Sequence, residues 1–277
     1  MKIISTIHNF RSWRKGIIGS VGFVPTMGAL HDGHLSLIAR SVADNDRTCV
    51  TIFVNPRQFG LGEDFMDYPR DHQADTQALE NCKVDLLFAP GVEEMYPTGS
   101  VTSVSVIGIG DILEGEFRPD FFKGVATVVT KLLFQVLPDR VYFGEKDYQQ
   151  LQIIRWLVKD LNIDVEVVVC PTVRDPDGLA LSSRNVRLTK KERESALLIN
   201  EALSDALNEW EKGQSGSSVL KKIVEQKISL NPLNKLEYIS LANEKDFIEQ
   251  DEDAPGSIVS VAVVVGKTRL IDNVVLK

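Results

Sequence analysis

Short β-rich runs alternate with helical patterns over the first 170 residues, and this alternation constrains the fold more than any other feature of the chain. The runs resemble buried strands and lie at 21–25, 50–54, 84–88, 140–144 and 165–170. Between them, apolar residues recur at helical spacing, as in Leu35, Ile38 and Val42. Because strands joined by helices form right-handed βαβ units, we predict an α/β domain with a parallel, doubly wound sheet that binds ligands at the carboxyl ends of its strands.

The pattern changes after residue 171. Thr189 and Glu192 have the spacing of a capping box, which predicts the start of an amphipathic helix, and a Gly/Ser stretch at 213–218 ends it. A second amphipathic helix follows, and apolar runs on both sides of Gly266 predict a hairpin at 257–276. The predicted domains are therefore an α/β domain at 1–173 and a smaller C-terminal α+β domain at 174–277.

The charge balance excludes two broad classes of function. The 277 residues include 31 Lys and Arg against 39 Asp and Glu, a formal net charge of −8, whereas nucleic-acid or anionic-membrane binding needs a basic surface.

Residues 1–20 lack an apolar run of signal-peptide length, and no run approaches the roughly 20 residues that cross a bilayer. Cys49, Cys82 and Cys170 are odd in number and far apart, which indicates buried, reduced thiols. We expect a cytoplasmic protein.

Two of the four histidines, His31 and His34, follow the first predicted strand and precede the first predicted helix. Gly28 and Gly33 in the same loop allow a ligand to approach the backbone closely. Free N–H groups at a helix start, beside two imidazoles, would form a phosphate site. Spacing alone leaves two alternatives open, a histidine pair without a ligand and a zinc site, although no cysteine or acidic cluster is nearby to complete the latter.

Three further polar segments occur, two directly after predicted strands and one just after the predicted domain boundary. Gln58 offers a neutral amide that can recognise hydroxyl and carboxylate groups. Lys146 supplies positive charge for a phosphate, and Asp147 beside it can instead cap the following helix. The hydroxyls and guanidinium of residues 182–184 can close over a polyphosphate. Each of these segments is also compatible with a plain polar loop or connector.

Together these segments resemble the pantoate–β-alanine ligase family of nucleotidyltransferases, which shares an H-x-G-H signature with class I aminoacyl-tRNA synthetases. A lone H-x-G-H would be weak evidence, but the resemblance runs in family order through about two thirds of the chain. The matching segments are 24–34, 53–59, 68–70, 124–131, 144–150 and 181–185. The resemblance implies a Rossmann-like first domain and a C-terminal domain that folds over the nucleotide.

The resemblance also implies a two-step reaction. Pantoate attacks the α-phosphorus of ATP and releases pyrophosphate; β-alanine then attacks the acyl adenylate and releases AMP, so that pantothenate forms. Mg²⁺ is expected on the ATP phosphates rather than in a cage of protein ligands. The resemblance further implies a homodimer formed through the first domain.

Roles of individual residues follow from the same resemblance. His34 is implied as the catalytic proton donor, with His31 and Lys146 as further catalytic residues. The residues implied to contact ATP are Met27, Gly28, Ala29, Leu30, His31, Asp32, Gly33, His34, Gly144, Glu145, Lys146, Asp147, Val173, Leu181, Ser182, Ser183 and Arg184. Those implied to bind the other substrates are Gln58, Gln150 and Arg118. In-line attack at phosphorus needs positioning and charge neutralisation, which cations, imidazoles and helix N–H groups can supply.

The chain departs from the family pattern at two places. Residues 118–122 read Arg-Pro-Asp-Phe-Phe where the family usually has Arg-Pro-Gly-His-Phe, and Leu181 stands where methionine is common. The leucine preserves side-chain volume almost unchanged. Phe121 cannot transfer protons, so we expect this loop to shape the pocket without acting as an acid or base.

Two other functions stay open. A different adenylyl- or cytidylyltransferase with the same loop would need a cationic site for a phosphorylated substrate, whereas Gln58 and Gln150 are neutral amides suited to a small hydroxy acid. A nucleotide-binding module without turnover is the other alternative. That module is disfavoured by the presence of four residues suited to catalysis, His31, His34, Lys146 and Arg184.

Overall fold

The computed structural model describes residues 1–60, 62–213 and 216–277, and the chain divides into two compact units. The first contains Met1–Glu145 and Gln149–Pro171, and the second contains Lys146–Tyr148 and Thr172–Lys277. The main division thus falls two residues before the boundary expected from the sequence, and a short segment after residue 145 is grouped with the second unit. Residues 214 and 215 of the predicted Gly/Ser stretch lie outside the described residues.

The chain up to residue 170 alternates strands with helices. The strands are β1 (Lys2–Ile4), β2 (Val21–Thr26), β3 (Arg47–Ile52), β4 (Leu86–Phe88), β5 (Arg140–Gly144) and β6 (Glu166–Cys170). The helices are α1 (Ile7–Lys15), α2 (Asp32–Asp44), α3 (His72–Asn81), α4 (Val92–Met95), α5 (Glu114–Phe117), α6 (Phe121–Val136) and α7 (Tyr148–Asp160). Short 3₁₀ turns follow β3 at Pro56–Gln58 and β5 at Glu145–Asp147.

Within the described residues, six strands form one parallel sheet in the order β1-β4-β3-β2-β5-β6. This confirms the predicted parallel, doubly wound sheet. Strand order reverses between β2 and β5, and the crevice at such a switch point is where open α/β sheets bind ligands. The edge strand β1 was not predicted, because its three residues are too few to show a period.

The interior of the first unit consists of the predicted apolar runs. Val24, Val50 and Tyr142, on three adjacent strands, are fully buried and pack in one cluster. Helix α6 is buried on most of its surface, which explains why its sequence is apolar nearly all round. Burying each large apolar side chain stabilises the fold by about 1.5–3 kcal/mol.

The second unit is α+β, as predicted. Its elements are α8 (Lys190–Glu211), α9 (Ser217–Ile228), β7 (Asn234–Asn243), β8 (Ser257–Val265) and β9 (Thr268–Val275). The strands form an antiparallel sheet in the order β7-β8-β9, which confirms the predicted hairpin. The predicted capping box is also present, since Thr189 Oγ1 accepts from Glu192 N at 3.3 Å and Glu192 Oε2 accepts from Thr189 N at 2.8 Å. Strand β7 was missed because most of it is only half-buried.

Two of the three cysteines are buried. Cys49, Cys82 and Cys170 are free thiols, but Cys82 is half-buried rather than buried as expected. Burial raises the pKa of the Cys170 thiol, which keeps it protonated.

None of the helices in the described ranges combines the length and the apolar composition that a bilayer crossing requires.

Candidate active site

Three polar segments meet at one edge of the parallel sheet in the first unit. Residues 27–34 follow β2, residues 53–58 follow β3, and Gly144 with Glu145 lies at the end of β5. Because β2 lies between β3 and β5, the segment with both histidines is flanked by the other two. The structure therefore brings these sequence-predicted segments together at the switch point of the sheet.

The loop between β2 and α2 turns through two left-handed residues. Gly28 has a φ of +87° and Ala29 a φ of +52°. A Cβ on Gly28 would lie 2.9 Å from Asp75 Oδ2, so this position needs glycine for space as well as for conformation. After this turn the chain extends to His31, the N-cap of α2, and the helix begins at Asp32.

The two histidines pack ring against ring, with centroids 4.1 Å apart and planes inclined by 41°. The backbone N–H of His31 donates to His34 Nδ1 at 3.4 Å. Since Nδ1 accepts this bond, a neutral His34 carries its proton on Nε2 and can donate it to an anionic oxygen. Among the described residues, no group of three His, Cys, Asp or Glu side chains is placed to hold a metal ion, so the zinc alternative lacks a ligand set.

The backbone N–H groups of residues 28–30 have acceptors within the first unit. Ala29 N and Leu30 N donate to the carboxylate of Asp75 at 3.0 and 2.8 Å, and Gly28 N donates to Thr26 Oγ1 at 3.3 Å. Side chains of the fold therefore already accept from the N–H groups of these three residues, which precede the helix start where free N–H groups are expected. The first turn of α2 is where a helix leaves N–H groups without a helical partner.

The Gln58 side chain is held at both of its polar atoms. Its Oε1 accepts from Asn55 Nδ2 at 3.1 Å, and its Nε2 lies 3.0 Å from Met27 Sδ, on the histidine-bearing loop. Asn55 is 1% exposed and also donates to Gly124 O at 3.0 Å and accepts from the Tyr96 hydroxyl at 2.9 Å. Burial raises the pKa of Tyr96 to about 12, so the hydroxyl remains a donor at neutral pH. The segment after β3 is thus part of a buried network.

Arg118 is held on several sides beside this network. Its Nε and Nη2 donate to the Glu63 carboxylate at 2.9 and 2.6 Å, and Nη2 also donates to Gln58 O at 3.3 Å. Its guanidinium carbon lies 3.8 Å from the centroid of the Phe121 ring. Phe121, which stands where the family usually has histidine, therefore supplies a ring face for a cation–π contact.

We expect the double change Asp120→Gly with Phe121→His to alter kcat for the reaction that the resemblance implies by less than about 10-fold, or under about 1.4 kcal/mol. Asp120 has a φ of +67°, which glycine adopts readily, and an imidazole can stack on Arg118 as the phenyl ring does. Steady-state kcat and the KM for each substrate, measured beside the unmodified protein, check this. A gain of 100-fold or more would mean that the native loop lacks a needed acid or base.

The remaining predicted site residues lie in the second unit, except Gln150, which is half-buried in the first turn of α7. Lys146 is anchored through its backbone, because its carbonyl accepts from Asn273 Nδ2 of β9 at 2.8 Å. The Lys146 ammonium lies 3.6 Å from a carboxylate oxygen of Asp147, and its side chain is 18% exposed. The backbone of Lys146 is therefore held by β9, while its side chain is half-buried beside Asp147.

The segment that carries Ser182, Ser183 and Arg184 emerges from a short hairpin. Leu181 N donates to Val173 O at 3.0 Å and closes this hairpin, and Ser182 Oγ accepts from Arg184 N at 3.3 Å.

Arg174, next along the chain from Val173, binds Asp272 of β9 through two hydrogen bonds of 2.6 and 3.0 Å. Asp272 is 4% exposed, and a buried carboxylate needs such pairing. Asp272 and Asn273, which are neighbours on β9, thus bind Arg174 and Lys146. Lys146 and Val173, which precedes Arg174, are both residues that the resemblance assigns to ATP.

Several residues that organise the site were not predicted from the sequence. Asp75 gave no signal, because an aspartate in the first turn of a helix normally faces solvent and stabilises the helix dipole. Asp272 could have been found, since it is a lone carboxylate within an apolar run that predicts a strand. Asn55 lies in the segment 53–59 that carries the resemblance, but its partners Tyr96 and Gly124 lie far along the chain.

The fold and the site define a Rossmann-like α/β protein with an H-x-G-H loop at the switch point of its sheet. The family model for pantoate-beta-alanine ligase matches residues 2–275. The chain belongs to this family and is an enzyme of pantothenate formation.

Individual relatives support this assignment over the whole chain. The pantothenate synthetase of Roseiflexus castenholzii is 48% identical over 277 residues and covers 100% of both chains. The crystal structure of pantothenate synthetase from Thermus thermophilus superposes with a TM-score of 0.96 at 43% identity, covering 100% of this chain and 99% of that one. Pantoate-beta-alanine ligase from Francisella tularensis, solved in complex with beta-gamma ATP and beta-alanine, has a TM-score of 0.85 at 41% identity and covers 100% and 98%.

Proposed function

We propose that this chain condenses pantoate with β-alanine at the expense of ATP through a pantoyl adenylate, releasing pyrophosphate in the first step and AMP in the second. The observation that carries the proposal is the contact between Gln58 and Met27, whose Nε2 and Sδ atoms are 3.0 Å apart. This contact joins the segment suited to a small hydroxy acid to the loop suited to a phosphate. The Francisella tularensis ligase with its bound beta-gamma ATP and beta-alanine supports ATP as a substrate.

ATP is proposed to contact Met27 to His34, Gly144 to Asp147, Val173 and Leu181 to Arg184. His34 donates its Nε2 proton to a phosphate oxygen, while Lys146 and Arg184 supply positive charge. These groups neutralise charge that develops on the α-phosphate and on the leaving pyrophosphate, and preorganised donors of this kind often contribute the largest part of catalysis.

Pantoate is proposed to bind Gln58, Gln150 and Arg118. The Glu63 carboxylate balances the charge of Arg118, and the two glutamines are neutral, so this pocket suits a single carboxylate with hydroxyl groups. A phosphorylated substrate would need unbalanced cations instead. This difference favours pantoate over the substrates of other transferases that carry the same loop.

The chemistry needs no nucleophilic side chain. A pantoate carboxylate oxygen attacks the α-phosphorus, the bond to the bridging oxygen breaks, and pyrophosphate leaves. The β-alanine amine then attacks the acyl carbon and expels AMP. The protein contributes alignment of the reacting atoms and stabilisation of the expelled anions, which together can lower a barrier by several kcal/mol.

Isotope exchange tests the adenylate directly. We expect labelled pyrophosphate to enter ATP when pantoate is present, without any need for β-alanine, because adenylation is reversible before the amine attacks. Reactions without pantoate are the control and should show no exchange. Exchange that is absent with pantoate, or equally fast without it, contradicts the proposed intermediate; equilibrium binding of ATP with no exchange would instead indicate a nucleotide-binding module.

We infer three further properties from membership of the family. Mg²⁺ would be held mainly by phosphate oxygens of ATP rather than by protein ligands, and its positive charge would stabilise the leaving pyrophosphate. The chain forms a homodimer through the first unit, which sedimentation equilibrium of the purified protein measures. The protein works in the cytoplasm, for which the free thiols of Cys49, Cys82 and Cys170 are suited.

A further inference from the structure

A buried carboxylate contacts the loop that leads to His31 and His34. Asp75, in the first turn of α3, is 4% exposed. Its Oδ2 accepts from the backbone N–H of Ala29 at 3.0 Å, and its Oδ1 accepts from that of Leu30 at 2.8 Å. One carboxylate therefore holds two consecutive peptide groups of the loop with both of its oxygens.

These hydrogen bonds lie at Ala29, whose backbone conformation is unfavourable for a residue with a Cβ. Ala29 has a φ of +52°, a left-handed conformation that residues with a Cβ seldom adopt. Without acceptors for the N–H groups on both sides of this turn, Ala29 would gain by returning to a right-handed or extended conformation. The chain beyond it would then change direction, and both His31 and the start of α2 would move.

We propose that Asp75 is a positioning residue, which sets the geometry of the H-x-G-H loop by binding the N–H groups of Ala29 and Leu30. The inference rests on the proposed role of this loop in binding ATP. The buried charge of Asp75 is itself stabilised by the two N–H groups, so loop and carboxylate depend on each other. These two N–H groups are thereby withdrawn from any phosphate, which leaves the imidazoles and the first turn of α2 to bind it.

Asp75→Asn tests the proposal, because a carboxamide has the same size but only one acceptor oxygen and presents an NH₂ group to the second backbone N–H. We expect kcat for pantothenate formation to fall by about 10- to 100-fold, since small displacements of reacting groups have effects of this size. Amide hydrogen exchange in residues 28–31 should accelerate by at least about 10-fold, because the loop opens more often.

Asp71→Ala is the matched control on the same helix. Asp71 is the N-cap of α3, where its Oδ1 accepts from Ala74 N at 2.9 Å, and it makes no hydrogen bond to the loop among the described contacts. This change weakens the helix without altering the carboxylate at Asp75, so kcat should stay within about twofold of the unmodified protein. If it slows the reaction as much as Asp75→Asn does, helix stability is the cause and the proposal fails.

A second substitution that restores the loop conformation separates the effect of loop geometry from other effects of removing the Asp75 charge. Adding Ala29→Gly to Asp75→Asn should restore part of kcat, because glycine adopts the left-handed conformation without help. Unchanged amide exchange in Asp75→Asn, or faster exchange with unchanged kcat, overturns the proposal. Normal turnover in His34→Ala would instead contradict the proposed role of the loop, so the two failures are distinguishable. If Asp75→Asn does not fold, Asp75→Glu, which moves both oxygens by one methylene, is measured with the same expectations.

Discussion

Replacing His34 with alanine should slow adenylation of pantoate by about 10- to 150-fold, with the fold unchanged. The expected size follows from the loss of one hydrogen bond to a charged group, about 1.5–3 kcal/mol. The Nδ1 atom of His34 accepts from the His31 backbone N–H, so a neutral His34 carries its proton on Nε2. Single-turnover formation of AMP or of the adenylate, followed together with circular dichroism, measures the effect.

Two further variants sharpen this test. His34→Gln keeps an N–H donor on a side chain of similar reach and should recover part of the rate if donation, rather than proton transfer, is what matters. His8→Ala, on the exposed side of α1, is the matched control and should leave adenylation unchanged. Adenylation in His34→Ala at the rate of the unmodified protein would exclude a catalytic role for this histidine.

Replacing Gly124 with alanine should raise the KM for pantoate by at least about 10-fold and lower the free energy of unfolding by about 1–3 kcal/mol. A Cβ at this position would lie 2.1 Å from Arg57 O and 2.7 Å from Gln58 Cα, both of which are backbone atoms. Either α6 or the 3₁₀ turn must move. The hydrogen bond from Asn55 Nδ2 to Gly124 O would also be strained, and with it the amide that holds Gln58.

The measurements are pantoate and ATP KM values and denaturant unfolding. We expect the KM for ATP to change much less than that for pantoate, because the contact lies at Gln58 rather than at the histidines. Gly91→Ala is the control, since Gly91 has a φ of −76° and open space where a Cβ would lie. An unchanged pantoate KM in Gly124→Ala, with the loss of stability present, would mean that Gln58 does not bind pantoate.

Local patterns in the sequence were enough to predict the class of the fold. Strand runs separated by helical stripes imply parallel pairing, and the pairing of β2 with both β3 and β5 has that form. The capping box at Thr189 and Glu192 and the hairpin around Gly266 were predicted because each depends on residues a few positions apart. The same locality explains why β1, with three residues, was missed.

The sequence by itself also determined which chemical groups reach the carboxyl edge of the sheet, because strand ends carry the following loop residues there whatever the details of packing. Only the tertiary structure decided how those groups are held. Asp75 binds Ala29 across 46 residues, Asn55 binds Gly124 across 69, and Arg174 binds Asp272 across 98. Partners so far apart leave no periodic or local signal, since their meeting depends on the path of the whole chain. Close packing then excludes water, so a buried polar group must find its hydrogen-bond partners among the protein groups that this path brings near.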